Sequence, residues 1–382
     1  MTLFAPSDRV QHILQHSLRP STRPPAGMIS LASGEPDFDT PQHIRTAHTD
    51  ALKAGATHYA AWNGAPELRE ALARHAGGPS RPSRPVRTAD HVLVTHGGSG
   101  ALAATILACV NPGDRVIIPV PTYSLYADLV RMAGGQPVLV PQQDNLHLDL
   151  DAIAKAAPGA RMVAICNPCN PTGIVYSAQE LTRLRDIAEQ HGLLVLADEA
   201  YDHIVYNPAQ FTSVLDIPRL AERVLYVQTF SKTYAMTGWR IGYLIARPDV
   251  VTAAAVVHTR MAGPLNTAVQ HAALAALTGP QEPVQRMLDE YRARREVVTQ
   301  VLGDVPGTQL RSPDGTFYTF IAHTPRLTSV QVATKAREWG VAVRPGSEFG
   351  GEGYIRLSFA TDRKTLTNGL ERLRDMFAAT QA

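Results

Sequence analysis

The sequence is poor in cysteine, and this scarcity limits the kinds of site that it can build. Cys109, Cys166 and Cys169 are the only cysteines among 382 residues. The last two form a C-x-x-C pair, a spacing found in redox and zinc sites. Zinc would need two further ligands at a matching spacing, and none is evident. The pair also lies within the turn sequence CNPCNP at 166–171, so we expect free thiols and no metal site.

Long apolar runs and an excess of charge are also missing. No run of 18 apolar residues occurs, so no membrane span is expected. Asp8 and Arg9 stand where a signal peptide needs its apolar region, and we therefore expect a cytoplasmic protein. Lys and Arg number 36 against 34 Asp and Glu, a balance that gives no reason to propose nucleic acid as a partner. A local basic segment at 81–87 is rich in Pro and Ser and predicts a solvated loop.

What the sequence does contain is an alternation of strand-like and helix-like segments. Five short runs rich in Val, Ile and Leu are continuous rather than alternating, which is typical of strands buried on both faces of a parallel sheet. They cover 91–95, 116–120, 162–166, 193–197 and 224–229. Between them, 101–109, 124–133 and 178–191 predict helices. This alternation predicts an α/β fold with a mostly parallel sheet between helices.

A second region follows residue 283 and predicts a smaller α+β domain. Its elements are a charged helix at 284–302, a strand at 316–321, a helix at 329–339, strands at 341–344 and 354–360, and a helix at 362–377. The chain is also too long for one ordinary single-core domain. We expect an N-terminal arm and part of the small domain over 1–40, with an extended Pro-rich stretch at 20–25. A large domain would cover 41–282 and the C-terminal small domain 283–382.

Each of five predicted strands is followed by residues of types that can bind a ligand or take part in catalysis. In an open α/β sheet, ligands bind outside the carboxyl ends of the strands, so these residues should converge at one edge. They are the Gly-rich turn 97–100, Tyr123, Asn170, Asp198 and Lys232. The predicted site thus holds a phosphate cradle, an aromatic ring, an amide, a carboxylate and a lysine.

Each of these residue types has a function on a phosphorylated pyridine aldehyde. Backbone N–H groups at a helix N-terminus bind phosphate, and an aromatic face covers a planar ring. An aspartate can hold a pyridine nitrogen protonated, which makes the ring an electron sink. A lysine of lowered pKa forms a Schiff base with an aldehyde.

Longer motifs connect the chain to a known family. They are SGEPDFDTP at 33–41, Tyr59 followed by GAPELRE at 64–70, NPCNPTG at 167–173, DEAY at 198–201, SKTYAMTGWRIGY at 231–243 and IRLS at 355–358. With these motifs the sequence resembles class I/II (aspartate aminotransferase-like) enzymes of fold type I. Such enzymes use pyridoxal 5'-phosphate (PLP) to move the amino group of an L-amino acid to a 2-oxo acid. The motif around Lys232 is the most specific of the set.

The resemblance implies a role for each cofactor-contacting residue. Lys232 would be the Schiff-base lysine and the proton carrier, and Asp198 would pair with the pyridine nitrogen. Tyr201 and Asn170 would hydrogen-bond the phenolic oxygen of the ring, and Tyr123 would stack on the ring. The phosphate would be bound by four further residues, namely Gly98, Ser99, Ser231 and Arg240.

The resemblance also implies how substrate and partner subunit are bound. Arg356 would form a bidentate pair with the substrate α-carboxylate, a geometry for which guanidinium is suited. Gly34 would let that carboxylate approach the backbone, and Asn170 would lie beside it. Tyr59 would reach the phosphate of a partner subunit, which implies a homodimer.

Two positions depart from the pattern of bacterial aspartate aminotransferases of this subgroup. Ser99 stands where they carry a lysine that helps to hold a second substrate carboxylate, and Tyr123 stands where they have tryptophan. Ser99 cannot supply that charge, so we expect aspartate not to be the best donor. Arg260 is a candidate for a replacement charge.

Other functions compete with this interpretation. A C–S β-lyase would use the same cofactor and the same residues. A nicotinamide dehydrogenase is favoured only by the match of GSGALA at 98–103 to G-x-G-x-x-A. The next strand ends in PTY at 121–123, without the acidic residue that would bind ribose. A non-catalytic PLP-fold regulator usually carries a DNA-binding domain, for which the chain has no room.

Overall fold

The computed structural model of the chain describes residues 5–18, 27–77, 84–207, 211–323 and 326–381. The Pro-rich arm predicted at 20–25 lies outside these residues, as does 81–83 of the basic segment. The prediction of a solvated loop is wrong for Arg84 and Arg87, which are buried. Arg84 donates to both carboxylate oxygens of Asp216, at 2.6 and 2.8 Å, and this bidentate pairing accounts for its burial.

The described residues form thirteen strands. They are β1 (Ile29–Ser30), β2 (Val92–Thr95), β3 (Arg115–Val120), β4 (Gln136–Pro141), β5 (Ala160–Cys166), β6 (Leu194–Asp198), β7 (Val224–Thr229), β8 (Gly242–Ile245), β9 (Thr308–Leu310), β10 (Tyr318–His323), β11 (Val341–Ala342), β12 (Arg344–Pro345) and β13 (Tyr354–Ser358).

The same residues form thirteen α-helices. They are α1 (Asp8–His16), α2 (Gln42–Lys53), α3 (Pro66–Ala76), α4 (Gly97–Cys109), α5 (Leu125–Met132), α6 (Leu150–Ala156), α7 (Ala178–His191), α8 (Phe230–Thr233), α9 (Pro248–Ala262), α10 (Thr267–Thr278), α11 (Glu282–Leu302), α12 (Ser329–Glu338) and α13 (Arg363–Gln381).

A seven-stranded sheet forms the centre of the molecule, in the order β2-β8-β7-β6-β5-β3-β4. All its strands run parallel except β8, which is antiparallel to both neighbours. Every residue of β7 is buried. Because successive strand side chains point to opposite faces, both faces of the sheet must be covered. The predicted mostly parallel α/β sheet is thereby confirmed.

Helix α4 is buried because its sequence has almost no polar face. Ala101–Ala104 and Ile106 are among its buried residues, and the helix contacts β7 and β8 as well as α9. A helix that is apolar all round belongs in a core. Its N-terminus is therefore fixed at the carboxyl end of β2, and this placement positions the site described below.

The C-terminal region forms a second, smaller sheet in the order β12-β13-β10-β9, with antiparallel neighbours. Strand β1 pairs in parallel with β11, so the N-terminal segment joins this region. Helices α11, α12 and α13 contribute to a hydrophobic cluster of its own, built around Phe317, Phe359 and Leu370. The predicted domain limits after residues 40 and 282 stay predictions. In the described part of the chain, no helix combines the length and the apolar character that a membrane crossing requires.

Candidate active site

A cavity of about 370 Å³ lies at the carboxyl ends of the parallel strands, between the central sheet and the smaller one. All of the predicted site residues except Tyr59 and the candidate Arg260 line it. They are Gly34, Gly98, Ser99, Tyr123, Asn170, Asp198, Tyr201, Ser231, Lys232, Arg240 and Arg356. The strand ends therefore bring these side chains to one place, as the topology requires.

Lys232 lies in the short helix α8, directly after β7. Its Nζ donates a hydrogen bond of 2.6 Å to the carbonyl oxygen of Gly34. Burial lowers the pKa of Lys232 to about 8, and the charges of Arg240 and Arg356 act in the same direction. The unprotonated amine, which is the form that acts as a nucleophile or a base, is therefore far more populated near neutral pH than it would be with the ordinary lysine pKa of 10.5.

Asp198 ends β6 and is held by two donors. Its Oδ2 accepts from the hydroxyl of Tyr126 at 2.8 Å, and its Oδ1 accepts from the backbone N–H of Ala200 at 3.2 Å. Burial raises the pKa of Asp198, while the hydrogen bonds and the charge of Lys232 oppose that shift. The sequence did not reveal Tyr126, because its only signal is a tyrosine one helical turn after Tyr123.

The segment 97–100, predicted as a turn before a helix at 101, is instead the first turn of α4 and forms a cradle there. Helix α4 begins at Gly97, so the first N–H groups of the helix have no partner within it. A Cβ on Gly97 would lie 2.6 Å from Nη2 of Arg240, which brings a guanidinium to this helix end. The hydroxyl of Ser231 accepts from Oγ1 of Thr229 at 2.8 Å on the same side of the cavity.

Gly242 of β8 supports the cradle from below. A Cβ at this position would lie 2.6 Å from the carbonyl carbon of Gly97 and from the nitrogen of Gly98, and 2.7 Å from the oxygen of Gln228. Only glycine allows this close approach of three backbone segments. The helix end, Arg240 and Ser231 provide the donors that a phosphate group requires. Together with Lys232 and Asp198, these residues fit PLP.

A pair of histidines lies behind the cradle. His96 caps α4, and its backbone N–H donates to Nε2 of His258 at 3.2 Å. The same Nε2 lies 3.0 Å from Nδ1 of His96. Burial lowers the pKa of His258 to about 4, and the nearby His96 acts in the same direction. His258 is therefore neutral at physiological pH and acts as an acceptor.

The opposite side of the cavity is built around Arg356 of β13. Its Nη1 donates to Oδ1 of Asn170 at 3.1 Å and its Nη2 to the carbonyl oxygen of Ala32 at 2.8 Å. The guanidinium carbon lies 4.2 Å from the ring centre of Tyr318 and 4.7 Å from that of Phe349. A buried guanidinium between two aromatic faces is ready to bind a carboxylate.

Gly34 and Tyr201 meet at Tyr318. A Cβ on Gly34 would lie 2.2 Å from the hydroxyl oxygen of Tyr318, so no larger residue fits there without movement. The hydroxyls of Tyr201 and Tyr318 are 3.1 Å apart. The sequence did not reveal Tyr318, because only tertiary contacts connect it with the motifs that contain Gly34 and Tyr201.

Sequence reasoning also missed Arg344 and Glu348, which line the cavity beside Arg356. Arg344 of β12 is the direct cross-strand partner of Arg356. Directly opposed residues of an antiparallel pair place their side chains on the same face. Only the register of these two short strands reveals this arginine pair.

Two predicted residues lie elsewhere. Tyr59 is 93% exposed and does not line the cavity within this chain. Arg260 lies over the ring of Trp62, 5.7 Å from its centre, in a separate groove.

Cys166 and Cys169 are buried free thiols.

Comparison with known proteins gives a consistent result over almost the whole chain. The family described as aminotransferase class I and II matches residues 26–373. The aspartate aminotransferase of Pyrococcus abyssi (strain GE5 / Orsay) is 36% identical over 386 residues, which cover 97% of this chain and 97% of that protein.

Solved structures agree with the sequence comparison. The aromatic aminotransferase from Pyrococcus horikoshii OT3 superposes with a TM-score of 0.90 at 35% identity, covering 98% of this chain and 99% of that chain. The aspartate aminotransferase from Thermus thermophilus with maleate gives a TM-score of 0.86 at 34% identity, covering 96% and 94% of the two chains. Proteins with this fold are thus named for different amino acid substrates.

Proposed function

Because the chain belongs to the class I and II aminotransferase family, and is thus a PLP-dependent aminotransferase, we propose that Lys232, Asp198 and Tyr201 carry out its catalysis. The observation that carries this proposal is the convergence of an amine of pKa about 8 with a buried carboxylate and a buried guanidinium in one cavity. Such a set of perturbed groups is typical of an active site.

Different residues of the cavity would bind different parts of the cofactor. The N-terminus of α4 with Gly98, Ser99, Ser231 and Arg240 would hold the phosphate. Asp198 would keep the ring nitrogen protonated, and Tyr123 would cover the ring. Tyr201 and Asn170 would bind its phenolic oxygen. When bound, PLP supplies an electron sink for the bond that breaks at the substrate Cα.

Lys232 would bind the cofactor and move the proton at the substrate Cα. An amine with a pKa of about 8 accepts and returns a proton near neutral pH with little cost in either direction. Its hydrogen bond to Gly34 holds Nζ at the boundary between the two sheets. There it lies between the residues proposed to bind the cofactor and those proposed to bind the substrate.

Arg356 would bind the α-carboxylate that every amino acid carries, with Gly34 and Asn170 beside it. Side-chain selection must then come from other residues. Ser99 brings no charge to the cavity, so we propose that neutral or aromatic amino acids are better donors than aspartate. The names of similar proteins support either class, since one is an aspartate and another an aromatic aminotransferase.

The test is kcat/KM for aspartate, glutamate, alanine, leucine and phenylalanine with one fixed 2-oxo acid. We expect a neutral or aromatic donor to exceed aspartate. An aspartate value more than about tenfold above all others, about 1.4 kcal/mol of discrimination, would contradict this. A C–S β-lyase activity would instead release pyruvate from a sulfur amino acid with no 2-oxo acid present.

We also propose a homodimer in which Tyr59 contacts the partner's phosphate. Tyr59, Trp62, Val256 and Met261 expose 93%, 62%, 54% and 57% of their surface, and large exposed apolar groups of this kind mark interaction surfaces. The cytoplasmic location stays a prediction from the sequence.

Mixing Lys232→Ala subunits with Tyr59→Phe subunits tests the shared site. The heterodimer then has one site with intact Lys232 and an intact Tyr59 from the other subunit. Cofactor affinity at that site should equal the wild-type value. If Tyr59 served its own subunit, the working site would keep the affinity of the Tyr59→Phe homodimer.

A further inference from the structure

An ion pair lies in the cavity beside the proposed carboxylate-binding arginine. Arg344 and Glu348 both line the cavity, and Nη1 of Arg344 lies 3.5 Å from Oε2 of Glu348. Arg344 is the direct cross-strand partner of Arg356. Two guanidinium groups on one face of the sheet are therefore accompanied by one carboxylate.

Glu348 is held by the backbone around it. Its segment, 346–349, is a single turn of 3-10 helix, and the next residue, Phe349, accepts a hydrogen bond of 2.9 Å from the N–H of Thr122. Thr122 belongs to the loop that carries Tyr123. A movement of this backbone segment away from Arg344 would break that hydrogen bond.

The charges of the cavity can be assigned one by one. Arg240 belongs to the phosphate cradle, Lys232 and Asp198 to the cofactor ring, and Arg356 to the α-carboxylate. Arg344 is the cation that remains, and it faces a carboxylate from its own chain. In the described residues, Oε2 of Glu348 is buried and has no hydrogen-bond partner.

We propose that Glu348 determines substrate specificity, because it occupies the side of Arg344 that a second substrate carboxylate would need. The inference rests on the proposed function and names its substrate class: amino acids with uncharged side chains. A dicarboxylic substrate must displace Glu348 from Arg344 or place its carboxylate beside that of Glu348. Displacement leaves Glu348 buried without its partner, and close approach sets like charges together, so both routes carry a cost.

An uncharged side chain meets neither cost. It leaves the Arg344–Glu348 pair intact and packs against Phe349 and Tyr318, the aromatic rings that flank Arg356. The α-carboxylate still pairs with Arg356. The same cavity therefore accepts one carboxylate and disfavours two.

The test uses a cycle of three variants, Glu348→Gln, Arg344→Gln and the double variant, with Glu338→Gln on the exposed side of α12 as the matched control. Holoenzyme is assayed with aspartate, glutamate, alanine and phenylalanine, and a monocarboxylic 2-oxo acid is the fixed acceptor. Succinate and butyrate, which differ by one carboxylate, are titrated into each holoenzyme by calorimetry. Cofactor absorbance and melting temperature establish that each variant is folded and loaded.

Glu348→Gln should raise the aspartate-to-alanine ratio of kcat/KM, and the succinate-to-butyrate ratio of affinity, by about tenfold or more over wild type. The double variant should lose this gain, because Arg344 is the residue that would bind the second carboxylate once the charge of Glu348 is removed. Unchanged ratios in Glu348→Gln would overturn the proposal, as would a gain that persists in the double variant. Wild-type enzyme that transfers no amino group from any donor would instead refute the proposed function.

Discussion

The two walls of the cavity differ in how completely their polar groups are paired. The cofactor wall consists of 97–99, Asp198, 229–232 and Arg240, and the substrate wall of Tyr318, Arg344, Glu348, Phe349 and Arg356. No buried side-chain nitrogen or oxygen described in the cofactor wall lacks a hydrogen-bond partner. Two such atoms occur in the described substrate wall, Nε of Arg356 and Oε2 of Glu348.

This difference matches what each wall is proposed to bind. The cofactor wall would meet one invariant molecule, and its groups are fixed by bonds such as those from Tyr126 to Asp198 and from Thr229 to Ser231. The substrate wall would meet a donor and an acceptor in turn. A buried polar atom without a partner costs about 1–3 kcal/mol, which a ligand that satisfies it can recover. A ligand that accepts from Nε of Arg356 or donates to Oε2 of Glu348 is therefore favoured over the free state.

The largest effect should come from Lys232, which lies where the two walls meet. Lys232→Ala should lower transamination by about 10⁴-fold or more, because it removes both the covalent attachment and the proton carrier. PLP should still bind, since the cradle and Asp198 remain. Borohydride reduction and peptide mapping should place the pyridoxyl group on Lys232 in wild type. A label on Lys155 or Lys335 would contradict the assignment.

The second-largest effect should come from Arg356→Gln, which changes the substrate wall and leaves the cofactor wall intact. Loss of one charge-assisted pair in a desolvated site costs about 2–5 kcal/mol, or roughly 30- to several thousand-fold in kcat/KM. Every donor should lose alike, because all share the α-carboxylate, while PLP affinity stays at the wild-type value. A loss confined to one class of side chain would show that Arg356 reads the side chain instead.

The sequence predicted the cofactor wall better than the substrate wall. Strand β7 at Val224–Thr229 and helix α7 at Ala178–His191 have the bounds that the pattern predicted. Residues that directly follow such strands must converge, so their positions could be inferred without coordinates. Arg344 and Glu348 depend instead on the register between β12 and β13, two short strands whose pattern carries no register information.

Two strands of the central sheet also escaped prediction, for different physical reasons. Strand β4 is an edge strand with proline at Pro137 and Pro141 and partial exposure, so it lacks the continuous apolar run of its neighbours. Strand β8 has only four residues, Gly242–Ile245, and begins at the end of the motif that carries Lys232. Its burial depends on the antiparallel pairing with β2 and β7, which a local pattern cannot express.

Gly242→Ala should weaken the cofactor wall by an intermediate amount. The added Cβ would lie 2.6 Å from backbone atoms of Gly97 and Gly98, so the cradle has to shift. Overpacking of this kind costs about 1–3 kcal/mol. PLP affinity, measured by fluorescence titration of the cofactor-free protein, should fall accordingly. Gly238→Ala is the matched control, because a Cβ there meets nothing within 4 Å. Equal affinities in the two variants would show that the cradle tolerates displacement.

The smallest effect should come from His258, which supports the cofactor wall from behind. His258→Ala removes the acceptor for the N–H of His96, a bond worth about 0.5–1.5 kcal/mol, so PLP affinity should fall about 2- to 10-fold. His271→Ala, at an exposed position of α10, is the control.

The pH dependence of folding stability tests whether His258 is buried in its neutral form. The pKa of His258 is about 4 in the folded protein, against an ordinary value of 6.5. Between these values the unfolded chain binds a proton that the folded chain does not, so folding stability falls as pH drops from 6.5 towards 4. Protonated Nε2 would also face the N–H of His96 with a second hydrogen, which breaks the cap. The melting temperature of His258→Ala should therefore decline less steeply over this range than that of wild type. Parallel declines would show that burial does not lower the pKa of His258.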